Sequence, residues 1–149
     1  MSSEKDRFFA RTMHTPDDDA RAVLRDALRM MSKALIPMHR ALINAAREDY
    51  ALGYEAVGPS RLMQLLGDDP FFAWLKPMTA LIVDIDEMAR RDFERSDVDA
   101  IVDRIQRLFG STPEPEFAER YVPILQREVD VATGLAALRQ ALRKVPLKE

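Results

Sequence analysis

The sequence predicts an all-α fold resembling a four-helix bundle, and three observations lead there. Two long stretches, about 16–52 and about 116–144, carry apolar residues at alternating four- and three-residue steps, the mark of a helix seam facing another helix. Two shorter stretches, about 78–93 and about 97–109, are amphipathic at helical period. No segment alternates apolar and polar residues as a half-buried strand would. A short helical insert, about 60–76, lies between the first long helix and the next. The chain of 149 residues is read as a single helical domain over 1–149, with residues 1–14 a partly ordered arm. A chain of this length buries roughly 70% of its unfolded surface and needs no covalent staple.

The arm holds Phe8 and Phe9, which either dock as a short helical turn or stay frayed. Thr15 and Pro16 then mark a helix start, with Asp17, Asp18 and Asp19 at the positive end of the dipole. The seam of the first long helix is Leu24, Leu28, Met31, Leu35, Met38, Leu42 and Ala45. Ile36, Ile43, Tyr50, His39 and Ala46 widen the apolar arc in its second half. Pro37 sits on the polar side, where it kinks the helix without ending it. Lys33, Arg40 and Arg47 fall opposite the seam and read as a solvated face.

Gly53 and Gly58-Pro59-Ser60 mark a turn, after which Arg61 to Leu66 forms a short helix closed by Gly67. Asp69-Pro70 opens the aromatic insert Phe71 to Leu75, and Pro77 restarts the chain. The next helix buries Met78, Leu81, Ile82, Ile85, Met88 and Ala89, with Val83 off the stripe. Ser96 is the expected cap of the helix over 97–109, and Gly110 closes it. The last helix has the seam Phe117, Tyr121, Ile124, Glu128, Val131, Leu135, Leu138 and Leu142, and Pro123 on its solvent side.

Composition narrows the function classes. Cysteine is absent, which removes disulfides, thiolate nucleophiles and Cys-based metal sites and suits a reducing compartment. Twenty-two basic residues against 25 acidic ones leave a net charge of −3, too little to recruit nucleic acid or anionic lipid. No apolar run approaches the ~20 residues of a membrane span, and the first residues lack the apolar stretch of a secretory signal, so a cytoplasmic location is expected. With His14 and His39 as the only histidines, and no Glu three residues before either, the di-metal template of helical bundles is unmet, and no metal or cofactor is expected.

Six residues are candidates for a binding site: His39, Tyr50, Phe72, Trp74, Asp86 and Glu128. His39 and Glu128 each fall in mid-arc of a long helix, so the two, or either with an Arg, are expected to form a buried polar contact. A satisfied structural pair outweighs a reactive acid or base as the meaning of such a contact. Asp84, Asp86 and Glu87 cluster on the central helix, with Glu87 and Arg91 spaced to pair and Glu48-Asp49 able to join if the helices are neighbours. A solvated face explains them better than a cation cage, because no loop of carbonyls accompanies them. In the insert, helical spacing puts Phe71, Trp74 and Leu75 on one face. They form either a plug over one end of the bundle near Tyr50 and Tyr54, or an exposed aromatic anchor for a partner.

The middle of the chain resembles an uncharacterised family of small helical bacterial proteins. The resemblance rests on Asp69, Pro70, Phe72, Ala73, Trp74, Leu75, Lys76 and Pro77, followed by Leu81 to Val83 and Ile85 to Glu87. It implies a small helical protein and brings no activity, cofactor or partner with it. The reading that follows is a cytoplasmic interaction or regulatory protein without catalysis, self-associating or binding another protein, with no nucleic acid and no membrane. The alternative is a small-molecule binder or enzyme with an apolar interhelical pocket near the aromatic insert.

Overall fold

The computed structural model describes residues 16–147, so the expectations for Phe8, Phe9, His14 and the Thr15 cap lie outside the described residues. Among the described residues there are six α-helices, one 3-10 helix and no strand. They are α1 (Pro16–Gly53), α2 (Pro59–Asp68), the 3-10 helix (Pro70–Leu75), α3 (Lys76–Arg90), α4 (Arg95–Phe109), α5 (Pro115–Arg127) and α6 (Val129–Arg143). α1 is the central strut: α6 packs along one side of it and α3 along another, with α4 beside α3.

The expected seam of α1 is buried at every position from Leu24 to Ala45, and Pro37 stays inside one continuous helix. The arc widens as expected at Ala46 and Tyr50, which are buried, and at Ile43 and His39, which are half-buried, but not at Ile36, and it also widens on the other side. Ile36 is 45% exposed, while Ala27 and Ala34 are buried. Gly134 explains this: a Cβ there would lie 2.7 Å from the Cβ of Met38, so α6 approaches α1 more closely than two full-sized side chains allow. Small residues on the contact side of α1 are what that approach needs. Arg47 also leaves the expected solvated face, because its guanidinium donates to the Val57 carbonyl and ties the turn after α1 back onto the helix.

The insert is a 3-10 helix, capped by Asp69, whose Oδ1 accepts from the Phe71 N–H at 2.8 Å. Three residues per turn put Phe72 and Leu75 on one face, and these two are buried. The expected face of Phe71, Trp74 and Leu75 assumed 3.6 residues per turn; Phe71 and Trp74 are only half-buried. α2 runs to Asp68, one residue past the expected Gly67 closure. α3 ends at Arg90, because Arg91 turns extended at φ −124°, ψ 176°. α4 is capped by Glu94, not Ser96. The Glu94 N–H donates to Asp97 Oδ2 at 2.8 Å while the Glu94 side chain accepts the Asp97 N–H, a reciprocal capping box.

The last long helix is two helices. Glu128 is extended, at φ −109°, ψ 111°, and serves as end cap of α5 and start of α6. Its N–H still reaches the Ile124 carbonyl at 2.8 Å, and its carbonyl accepts from Val131 and Ala132 at 3.2 Å. One extended residue therefore redirects the chain without leaving those backbone groups unpaired. The bend lets Phe117 and Tyr121 of α5 meet Phe109 of α4 and Phe117 meet Trp74, while Val131, Leu135 and Leu138 of α6 join the core. Pro123, inside α5, is exposed and tolerated as expected.

Candidate functional site

Each candidate side chain has a definite place, and they do not converge. Tyr50 and Phe72 belong to an aromatic cluster where α1 ends. Tyr50 stacks on Tyr54 at 4.7 Å and meets Phe71 at 5.3 Å and Phe72 at 5.5 Å between ring centroids. Of the expected plug, Phe71 reaches Tyr50 and Tyr54, but Phe72 stands in the cluster where Trp74 was expected. The Arg120 guanidinium lies 5.1 Å over the Phe71 ring and covers its outer face.

Trp74 points away from this cluster to a second one. Its ring lies 5.6 Å from Phe117, which in turn stacks on Tyr121 at 5.1 Å. Beside it a cleft of about 240 Å³ opens between Trp74, Pro77 and Phe117, with Glu116 and Arg120 at its edge. The aromatic insert thus holds two groups: Phe72 locked in the core and Trp74 half-buried on a cleft wall.

His39 and Glu128 do not meet. Among the described residues no polar or charged side chain is fully buried. His39 Nε2 lies 2.8 Å from Thr79 Oγ1, and the Thr79 hydroxyl donates to the Leu75 carbonyl at 3.1 Å. Because Thr79 has a single hydroxyl hydrogen, Nε2 must carry the proton and donate. Burial lowers the His39 pKa below its ordinary 6.5. Glu128 has a 40% exposed side chain 3.9 Å from Arg127 Nε, and Arg127 donates to both carboxylate oxygens of Asp49 at 2.8–2.9 Å. The wheel put Glu128 in mid-arc only because it assumed an unbroken helix.

The acidic cluster of α3 is dispersed as well. Asp84 accepts from Arg104 of α4 at 2.7 Å, Asp86 pairs with Arg90, and the expected Glu87–Arg91 pair is lost because Arg91 has left the helix. Arg91 donates instead to the Asp92 carbonyl at 2.8 Å. Among the described residues no group of three His, Asp or Glu side chains is arranged to hold a metal ion.

The surface feature that the sequence reading missed is a groove of about 420 Å³ between α1 and α6. Its floor is small or flat: Ala34, Pro37, Ala41, Gly134 and Ala137. Lys33 and Arg40 stand on the α1 wall and Asp130 on the α6 wall, and no ion pair joins any of them to another described residue. Along α1 the groove is continued by Val23 and Met30, which are 45% and 36% exposed and stand at seven-residue steps from Pro37. That spacing was legible, but Val23 and Met30 lie one position off a stronger seam and were masked by it. Among the described residues no helix is long and apolar enough to cross a membrane. Compared with known proteins, the chain matches no family model, no curated protein sequence and no solved structure.

Proposed function

We propose that this is a cytoplasmic helical interaction protein that associates with a second copy of itself through the α1/α6 face. The observation that carries the reading is the exposed stripe Val23, Met30 and Pro37 running into a small-residue groove with one basic and one acidic wall. A twofold axis across that groove sets Lys33 and Arg40 of one copy against Asp130 of the other, so the surface is complementary to itself. The net charge of −3 raises little repulsion between copies. Size is adequate too. From Val23 to Asn44 the face is about 30 Å long at 1.5 Å per residue, and two helices make it about 20 Å wide. A footprint of about 600 Å² per copy makes about 1,200 Å² in total, above the ~1,000 Å² that a specific interface needs.

Native mass spectrometry and sedimentation at tens of micromolar protein test this directly. The expected result is a dimer that Met30→Glu or Ala137→Glu converts to monomer, while Val83→Glu, exposed on α3, leaves it intact. A wild-type monomer, or a dimer indifferent to Met30→Glu, would refute the reading.

A second reading is a small-molecule site beside the insert, favoured by Trp74 on the wall of its own cleft. Ligand binding there would shift the fluorescence of Trp74, the sole tryptophan. A panel of metabolites that leaves its emission unchanged counts against it.

A further inference from the structure

A different cleft, between α4 and α6, combines features that none of the candidate residues supplied. Its volume is about 300 Å³, at the lower end of the roughly 300–1,000 Å³ typical of small-molecule sites. Ile105, Phe109, Leu138 and Leu142 make an apolar interior. The polar groups stand at the edge: the Gln106 amide, the Ser111 hydroxyl and the Arg139 guanidinium. Arg139 is the one charge on the cleft, and among the described residues no carboxylate pairs with it.

The surroundings add a second observation. Tyr121 packs edge-on against Phe109 at 5.2 Å, and its buried hydroxyl has no hydrogen-bond partner. Arg139 is the charge that acts on this phenol. Near the cleft, though outside its lining, there is thus a buried hydroxyl without a partner, and on its edge a cation without a carboxylate. The C-terminal end of α4 brings some partial negative charge nearby. Gly110 N–H and Glu114 N–H already take the Gln106 and Arg107 carbonyls, at 2.9 Å and 2.8 Å, so the full charge of Arg139 dominates.

We propose that the α4/α6 cleft binds a small organic anion with an apolar body, in chemical class a medium-chain monocarboxylate. The chain lies on Leu142 and the exposed edges of Phe109 and Leu135, and the carboxylate pairs with Arg139, helped by Ser111 and Gln106. Arg suits this role because its planar fork matches two carboxylate oxygens. A cation of the same shape is repelled, and a neutral alcohol keeps the apolar contact and loses the charge-assisted hydrogen bonds.

The test is a titration of the full chain with octanoate, octanol and octylammonium, followed by calorimetry and by amide NMR shifts. Octanoate is expected to bind about ten-fold more tightly than octanol, with shifts centred on Gly110, Ser111 and Leu135, and octylammonium more weakly than either. Arg139→Gln, at an exposed helix position, should weaken octanoate about ten-fold and leave octanol unchanged. Octanoate and octanol binding equally, shifts centred elsewhere, an indifferent Arg139→Gln, or no octanoate binding up to millimolar concentration would each overturn the proposal.

Discussion

Replacing Tyr121 with Phe should stabilise the protein, against the usual sense of a core substitution. The ring is 3% exposed and held by Phe109 and Phe117, contacts that a Phe keeps. Only the hydroxyl is lost, and it has no hydrogen-bond partner. A buried donor left unsatisfied costs about 1–3 kcal/mol, so its removal should gain about 1 kcal/mol or more. For a chain of this size that corresponds to about 2–4 °C in Tm per kcal/mol. Burial also pushes the Tyr121 pKa up from 10 to about 12, partly offset by Arg139. Between those values the unfolded chain has lost the phenolic proton and the folded chain keeps it, so the native state binds more protons and stability falls as pH rises. The contribution is whole below pH 10 and gone above about pH 12. At about 1.4 kcal/mol per pKa unit the loss is on the order of 3 kcal/mol. Urea denaturation of both proteins at neutral pH and across the alkaline range measures each effect. The advantage of Tyr121→Phe should appear at neutral pH and widen as the solution becomes alkaline. A variant less stable than wild type at neutral pH, or an advantage that stays flat with pH, would show that the hydroxyl finds an acceptor.

Gly134→Ala should destabilise by about 1–2 kcal/mol even though Ala favours a helix by about 1 kcal/mol, because overpacking against the Met38 Cβ at 2.7 Å outweighs the propensity; thermal melts decide it. Phe72→Ala should cost about 3–5 kcal/mol and Trp74→Ala about 2 kcal/mol, since Phe72 is fully buried and Trp74 only half, and neither should change the oligomeric state seen by sedimentation. A Trp74→Ala protein with unchanged Tm and weaker association would make Trp74 an anchor after all. His39 has a lowered pKa, so below its ordinary 6.5 the unfolded chain takes up a proton that the folded chain resists, and stability falls as pH drops through that region. His39→Gln, which can still donate to Thr79, should flatten that acid limb in denaturation curves; an unchanged limb would place its origin elsewhere.

Much of the fold was legible because burial of a long helix imposes a period that chance rarely mimics. Leu24 through Ala45 gave the α1 seam, and Met78, Leu81 and Ile85 gave the buried face of α3, from spacing alone. The break at Glu128 was not legible, since neither Gly nor Pro stands there. It follows from tertiary demand, with Phe117 and Tyr121 drawn to Phe109 and Trp74 while Val131 to Leu138 enter the core beyond the bend. The insert misled for a related reason. Six residues cannot distinguish 3.0 from 3.6 per turn, yet the difference moved Phe72 inward and Trp74 to a cleft wall. His39 and Glu128 failed as a pair because a wheel assigns faces and not neighbours.

The two internal prolines carry more surface information than their helix-breaking reputation suggests. Pro37 cannot donate to the Lys33 carbonyl, nor Pro123 to the Glu119 carbonyl, so each removes one i to i−4 bond from its helix. Lys33 and Pro37 both line the α1/α6 groove, and Glu119 lines the cleft beside Trp74. Both residues that lose a backbone partner thus stand beside a cleft. A proline on the polar side of an otherwise regular seam marks a carbonyl four residues earlier that loses its usual helical donor. In this chain Pro37 itself lines the α1/α6 groove, whereas Pro123 stands outside the cleft beside Trp74, which the aromatic pattern marked more directly.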